Sequence, residues 1–131
     1  MAGIYFHIPF CRRICAYCDF YKNADLRLME QTLAAMEREV VMRRNFLRGE
    51  AVRTIYFGGG TPSLVPTEWI ARAIELCRAR FDCSQLEEVT LEANPDDLST
   101  GYLAGLRAAG VNRLSIGIES FNNDKLKFMN R

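Results

Sequence analysis

"RTIYFGGGTPS" (residues 53–63) decides the architecture. Ile55 and Phe57 alternate with Tyr56 and Gly58, the period-two pattern of a strand with an apolar face and a polar or small one. Gly58, Gly59 and Gly60 then stop the strand. After Pro66, residues Ile70, Ala73, Ile74, Cys77 and Phe81 recur at helical spacing on one face. Strand, glycine turn and amphipathic helix together make one unit of a parallel α/β fold.

The same unit recurs on both sides. "GIYFHIPF" (3–10) is a strand ended by Pro9, and a helix begins near Asp25 with Leu26, Met29, Leu33, Met36 and Val40 as its apolar stripe and Gly49 as its end. "EVTLEA" (88–93) is a third strand, stopped by Asn94-Pro95. Its helix runs from Ser99, a good N-cap, to Gly110, a good C-cap. "RLSIGIE" (113–119) is the fourth, and a last helical segment begins near Asn122. About four strand–helix units in succession imply parallel strands joined by right-handed crossovers. Either a doubly wound sheet or part of a (β/α) barrel satisfies this. The faces favour the barrel. Ile4, Phe6 and Ile8, then Val89, Leu91 and Ala93, then Leu114, Ile116 and Ile118 give each strand one aliphatic side for helices. Tyr5, His7, Thr90, Glu92, Ser115 and Glu119 give the other side a polar character. A small closed barrel fills its inside with branched side chains; a polar inside implies a wide or open barrel whose lumen is a binding pocket.

Bulk properties narrow the function classes. The 131 residues are enough for one domain, and 49% hydrophobic with 25% charged residues is ordinary globular composition. Seventeen basic against sixteen acidic residues, with no charged block, give no electrostatic case for nucleic acid or for direct binding to an anionic membrane. Apolar runs fall far short of a membrane span, and the N-terminus lacks the pattern of a signal peptide. These features predict a cytoplasmic protein whose thiols stay reduced, so that clustered cysteines imply metal or redox chemistry.

Such a cluster exists. "FCRRICAYCDF" (10–20) places Cys11, Cys15 and Cys18 in a C-x3-C-x2-C loop directly after the first strand. Thiolates are soft ligands for zinc or iron–sulfur clusters. A four-iron cluster held by three cysteines keeps one iron open for a substrate or cofactor. A closed zinc site would need a fourth ligand, for which the single histidine, His7, is available. His7 lies on the strand, however, and Pro9 and Phe10 stiffen the chain between it and the first thiol. Cys77, on the helical stripe, and Cys83, in the loop after it, are placed as core and loop residues rather than ligands.

At this point the chain resembles a known family. The C-x3-C-x2-C triplet with Tyr17 before its third cysteine resembles the radical S-adenosylmethionine (SAM) superfamily. "YFHIPFCRRICAYCDFY", "IYFGGGTPS", "LEANPDD" and "GVNRLSIGIESFN" are similar, in order and spacing, to the branch holding the oxygen-independent coproporphyrinogen III dehydrogenases and the heme chaperones. The resemblance covers essentially the whole chain. It implies a partial radical SAM barrel, with residues 1–131 as the N-terminal part of the core domain and further strands and a C-terminal domain absent. It implies that Cys11, Cys15 and Cys18 hold a [4Fe–4S] cluster, and that SAM chelates the unique iron and is cleaved reductively to a 5′-deoxyadenosyl radical. SAM contacts implied by the resemblance are Tyr5, Tyr17, Gly59, Gly60, Thr61, Glu92, Glu119 and Arg131. The glycines would serve a strained strand-to-helix turn equally well, and Glu92 a lumen salt bridge. Glu119 departs from the family pattern, which has glutamine there. Phe20 stands where the dehydrogenase branch has a fourth cysteine, and "CDF" resembles the chaperone form. The implied partners are heme or a porphyrin, an electron-donor protein and a heme-accepting protein, with membrane contact only through such partners. Two rivals stand beside the chaperone reading: coproporphyrinogen III dehydrogenase, and a non-catalytic zinc or structural-cluster module.

The cysteine assignment has a direct test. Alanine at Cys11, Cys15 or Cys18 should abolish the iron and sulfide bound after anaerobic reconstitution, whereas alanine at Cys77 or Cys83 should leave both at the wild-type level. Full loading of the Cys15→Ala protein would contradict the assignment.

Overall fold

The fold is described from a computed structural model, which describes residues 1–19 and 22–131. Four strands, β1 (Ala2–Ile8), β2 (Val52–Gly59), β3 (Glu88–Ala93) and β4 (Arg113–Ile116), alternate with helices α1 (Met29–Met42), α2 (Thr67–Arg80), α3 (Thr100–Ala109) and α4 (Asn123–Phe128). All three strand pairs are parallel and the spatial order is β1-β2-β3-β4. A doubly wound sheet reverses its strand order at a switch point and so receives helices on both faces. Here the order never reverses. Residues of α1, α2 and α3 share a single core with the strands, and α2 packs against both of the other helices. One layer of helices on one face of a monotonic sheet is the geometry of a barrel segment.

Local chemistry sets the element ends. Asp25 accepts from the Arg27 N–H at 3.1 Å and starts a short 3-10 turn that leads into α1. Ser99 caps α3 by accepting from the Tyr102 N–H at 3.1 Å. Gly110 ends that helix at φ +102°, a left-handed conformation natural to glycine. Asn122 caps α4 through the Asp124 and Lys125 N–H groups.

The core follows the alternation in the sequence. Phe6, Ile8, Ile55, Phe57, Val89, Leu91 and Ala93 are buried on the helix side. They meet Leu33 and Val40 of α1, Ile70, Ala73, Ile74 and Cys77 of α2, and Leu106 of α3. Trp69, which lies outside the stripe read from the sequence, is also buried. Its ring stands edge-on to Phe6 (centroids 5.9 Å apart, 88°) and to Phe57 (6.3 Å, 77°), while Phe6 and Phe57 stack at 4.9 Å. Edge-to-face packing of this kind adds about 0.5–1.5 kcal/mol per pair beyond the area buried.

The expected fourth strand is shorter than its sequence pattern. β4 ends at Ile116 rather than at Glu119, and its apolar positions Ile116 and Ile118 are exposed. Past Ile116 the chain leaves the strand. Gly117 still donates to the Ala93 carbonyl at 3.1 Å, and Glu119 then turns into the left-handed region at φ +62°.

Because Trp69 closes the aromatic cluster, Trp69→Ala should lower unfolding free energy by about 3–5 kcal/mol in urea titrations, the usual cost of a truncated core aromatic. Its buried indole N–H has no hydrogen-bond partner among the described residues. Trp69→Phe should therefore be milder, about 1.5 kcal/mol or less.

Candidate metal-cluster site

The first thiol of the triplet is fixed by a continuation of the sheet. β1 and β2 pair in register through Ile8 and Gly59. Past the strand ends, the Gly60 N–H donates to the Ile8 carbonyl at 2.6 Å and the Thr61 N–H to the Phe10 carbonyl at 2.7 Å. On the other side Asn23 donates to the Pro9 carbonyl at 2.5 Å, and its carbonyl accepts the Cys11 N–H at 3.1 Å. Cys11 is thus only 8% exposed, and its Sγ accepts from the Thr61 hydroxyl at 3.3 Å. Two glycines permit this approach. A Cβ on Gly60 would stand 2.6 Å from the Phe10 carbonyl oxygen and 3.0 Å from Cys11 Sγ. A Cβ on Gly59, which sits at φ +114°, would meet the His7 ring at 2.9 Å.

Glu92 is held on two sides at the end of β3. Its Oε1 accepts from the Tyr56 hydroxyl at 2.7 Å and its Oε2 from the Gly59 N–H at 3.1 Å. Tyr5 lies on the same polar face, 56% exposed, stacked on Tyr56 at 5.8 Å and bonded through its hydroxyl to His7 Nδ1 at 3.2 Å. Partial burial and the Glu92 charge push the Tyr5 phenol up. Gly58, read from the sequence as part of the strand stop, leaves room for rings. A Cβ there would lie 2.8 Å from Tyr56 Cε1 and 2.9 Å from Tyr5 Cε2.

The rest of the cysteine loop is clamped by the segment after α4. The Ala16 N–H donates to the Met129 carbonyl at 3.3 Å, and Asn130 Nδ2 donates to the Ile14 carbonyl at 3.0 Å. Arg131 spans the gap between this loop and the sheet. Its Nη1 lies 3.2 Å from the Tyr17 hydroxyl and 3.8 Å from Cys15 Sγ. Its Nη2 donates to Asn94 Oδ1 at 2.8 Å and to the Gly117 carbonyl, and Glu119 Oε1 stands 3.9 Å away. Burial works against the guanidinium charge, but Cys15, Tyr17 and Glu119 outweigh it and hold the Arg131 pKa above its ordinary value. The Tyr17 phenol is pushed up by burial and by Cys15 and Glu119, against the pull of Arg131. Cys18 joins the loop through its backbone: its N–H donates to the Cys15 carbonyl at 3.3 Å, and its own carbonyl accepts Lys22 Nζ.

A second anchor lies behind the loop. Arg12 Nη1 reaches Asp97 Oδ1 at 3.1 Å, and the Asp97 side chain is 4% exposed. Asp97 Oδ2 accepts from the Ser63 hydroxyl at 2.7 Å, and Ser63 Oγ accepts the Asn94 N–H at 3.0 Å. Loops after β1, β2 and β3 are tied together in this way.

The donor set decides what the site can hold. Among the described residues, no three His, Cys, Asp or Glu side chains converge on a point as one metal ion requires. His7 Nδ1 is engaged by the Tyr5 hydroxyl. A four-iron cluster asks for something different, because its three thiolates each bind a separate iron. Cys11, Cys15 and Cys18 are all free thiols on one loop above the open strand ends, which suits such a cluster with one iron left accessible. Cys77 lies in the core on the opposite face, its thiol pushed up to about 12 by burial, and burial also raises Cys83.

Residues 5–131 match the radical SAM superfamily. The chain belongs to that superfamily. Membership implies a [4Fe–4S] cluster and SAM. Among the curated relatives of this radical SAM chain, the heme chaperone HemW of Lactococcus lactis is 41% identical over 97% of this chain and 33% of its own length. The Bacillus subtilis heme chaperone HemW is 39% identical, over 100% of this chain and 35% of its own length. The Escherichia coli oxygen-independent coproporphyrinogen III oxidase is 35% identical, over 98% and 29%. The solved radical SAM structure of E. coli coproporphyrinogen III oxidase (HemN) superposes with a TM-score of 0.87 at 34% identity, covering 98% of this chain and 30% of that one. The chain therefore spans about a third of the length of the curated relatives it matches.

The structure brings Cys11, Gly59, Gly60, Thr61, Glu92 and Tyr5 to one rim, and Cys15, Tyr17, Glu119 and Arg131 to its other side. Sequence reasoning missed Tyr56, Asn94 and Asn130 as partners of this rim. Alternation placed Tyr56 on the polar face, whereas Asn94 read only as a strand terminator. Phe20, the residue used to separate the two branches, lies outside the described residues.

Gly60 offers a local test. Gly60→Ala should push the Phe10–Cys11 backbone away, lower stability by about 1–3 kcal/mol and reduce reconstituted iron. Gly101, where an added Cβ would meet nothing within 4 Å, is the matched control. Gly101→Ala should keep full iron content and gain about 0.5–1 kcal/mol from helix entropy.

Proposed function

We propose that this chain is the cluster- and SAM-binding part of a heme chaperone of the HemW kind. One observation carries the chemistry: the C-terminal ends of three parallel strands bring a buried thiol, a close-packed glycine turn and a doubly held carboxylate to a single rim. Cys11, Cys15 and Cys18 would hold the cluster. When bound, the cluster and SAM supply a reductant and a sulfonium that together give a carbon-centred radical. Gly60 lets the Phe10–Cys11 backbone pack against the end of β2, and Gly59 does the same for the His7 ring; the resemblance implies that both contact SAM. Glu92 presents its remaining lone pairs to an ammonium or hydroxyl of SAM, and Arg131 presents a cation to an anionic group. Glu119, where the family pattern has glutamine, keeps an acceptor there and adds a charge that Arg131 offsets at 3.9 Å. Tyr17 covers the cysteine loop beside Arg131, and Thr61 directs its hydroxyl at the Cys11 sulfur.

The chaperone reading rests on the HemW relatives, two of which are 41% and 39% identical against 35% for the oxidase, and on Phe20 in "CDF", which cannot coordinate a metal. On this reading heme is the cargo, an electron-donor protein reduces the cluster, and a heme-accepting protein takes the product. No helix among the described residues is long and apolar enough to cross a membrane, and the protein is proposed to act in the cytoplasm. Likeness to HemN supports a second reading as a coproporphyrinogen III oxidase.

An anaerobic assay separates the two. With reductant, SAM and coproporphyrinogen III, the protein extended to the length of its relatives should bind SAM and heme but form no protoporphyrinogen IX. Product formation above a cluster-free control would transfer it to the oxidase reading.

A further inference from the structure

Tyr56 touches the strands on both sides of β2. It is paired in register with Tyr5 on β1, and the two rings stack at 27° between planes. On the other side its register partner is Thr90, so Glu92 is the diagonal neighbour one pleat nearer the rim. Diagonal neighbours on one sheet face are within reach of a long aromatic side chain. The reach is realised because the next residue on that face is Gly58: the Tyr56 ring lies over it, with Cε1 where a side chain would begin. The hydroxyl then donates to Glu92 Oε1 at 2.7 Å while the Gly59 N–H holds Oε2. Tyr56 is half-buried.

A carboxylate oxygen has two lone pairs, and each Glu92 oxygen has one engaged by β2. The two that remain are aimed by those bonds rather than by rotamer choice. We propose that Tyr56 is a positioning residue that fixes the Glu92 carboxylate for recognition of a cationic or hydroxyl-bearing ligand, which, on the reading given above, is SAM. Tyr56 does not touch the reacting atoms; it acts through Glu92. The Glu92 hydrogen bond is the main cause that raises the Tyr56 phenol pKa, followed by burial and the Glu92 charge, against Ser115 and Arg113. Tyr5 is the other titratable group facing it.

Tyr56→Phe, Glu92→Gln and the double variant test this, each reconstituted anaerobically and titrated with SAM. Removing one charge-assisted hydrogen bond should weaken SAM binding about tenfold in Tyr56→Phe. Iron content should stay unchanged. In the Glu92→Gln background the phenylalanine should cause no further loss, because the group it positions is gone. A tyrosine that only fills space would give additive losses. On the cluster-free protein, phenolate absorbance should show a high-pH tyrosine that disappears in Tyr56→Phe and titrates lower in Glu92→Gln. Unchanged SAM affinity in Tyr56→Phe, additive losses, or an unshifted phenol in Glu92→Gln would each overturn the assignment. Failure of the wild-type protein to bind SAM would instead overturn the functional reading, and the ligand role of Tyr56 with it.

Discussion

The site depends on two backbone hydrogen bonds made where the sheet should have ended. Gly60 to Ile8 and Thr61 to Phe10 extend the β1–β2 ladder past the last paired strand residues. Each is worth about 0.5–1.5 kcal/mol net, but their consequence is positional. They draw the first thiol of the triplet into the sheet's edge, where Thr61 can donate to its sulfur and where no side chain larger than hydrogen fits at residue 60. A cysteine on a free loop would have to be ordered by its ligand. Cys11 is ordered by the fold.

The other two thiols are treated differently. Cys15 and Cys18 lie on a segment whose tertiary ties run to the far end of the chain, through Asn130, Met129 and Arg131. Arg131 bridges that segment to Asn94 and Gly117 at the ends of β3 and β4. One side of the rim is therefore set by the sheet and the other by a closing clamp of polar contacts. Polar clamps lose less on opening than buried aliphatic contacts do, so the Cys15 side is the one able to adjust when a cluster or ligand is accommodated.

The polar face of the sheet is not a mere absence of packing. Tyr5, Tyr56, Thr90 and Glu92 form hydrogen-bonded and stacked pairs across strands, so each polar group that leaves bulk water meets a partner. Arg12, Asp97 and Ser63 repeat the pattern behind the cysteine loop. Burying the Asp97 carboxylate is tolerable because a guanidinium and a hydroxyl meet it. These networks tie together loops that the chain separates by tens of residues.

By itself the sequence determined the strand–helix alternation, the helix caps at Ser99 and Gly110, the start of the last helix near Asn122, the aliphatic faces of β1 to β3 and the cysteine triplet, because each follows from short-range spacing and the conformational limits of single residues. The chain's motifs also carried its family. The polar strand faces already favoured a barrel segment; only the tertiary structure decided the strand order β1-β2-β3-β4 itself, because pairing between strands is not written in local spacing. The tertiary structure alone showed that Gly58 makes room for two tyrosine rings, Gly59 for the His7 ring and Gly60 for the cysteine loop; three adjacent glycines look alike until their neighbours are in place. The end of β4 at Ile116 and the bond from Tyr56 to Glu92 were likewise beyond the sequence. The partner of a lumen side chain depends on the register between strands.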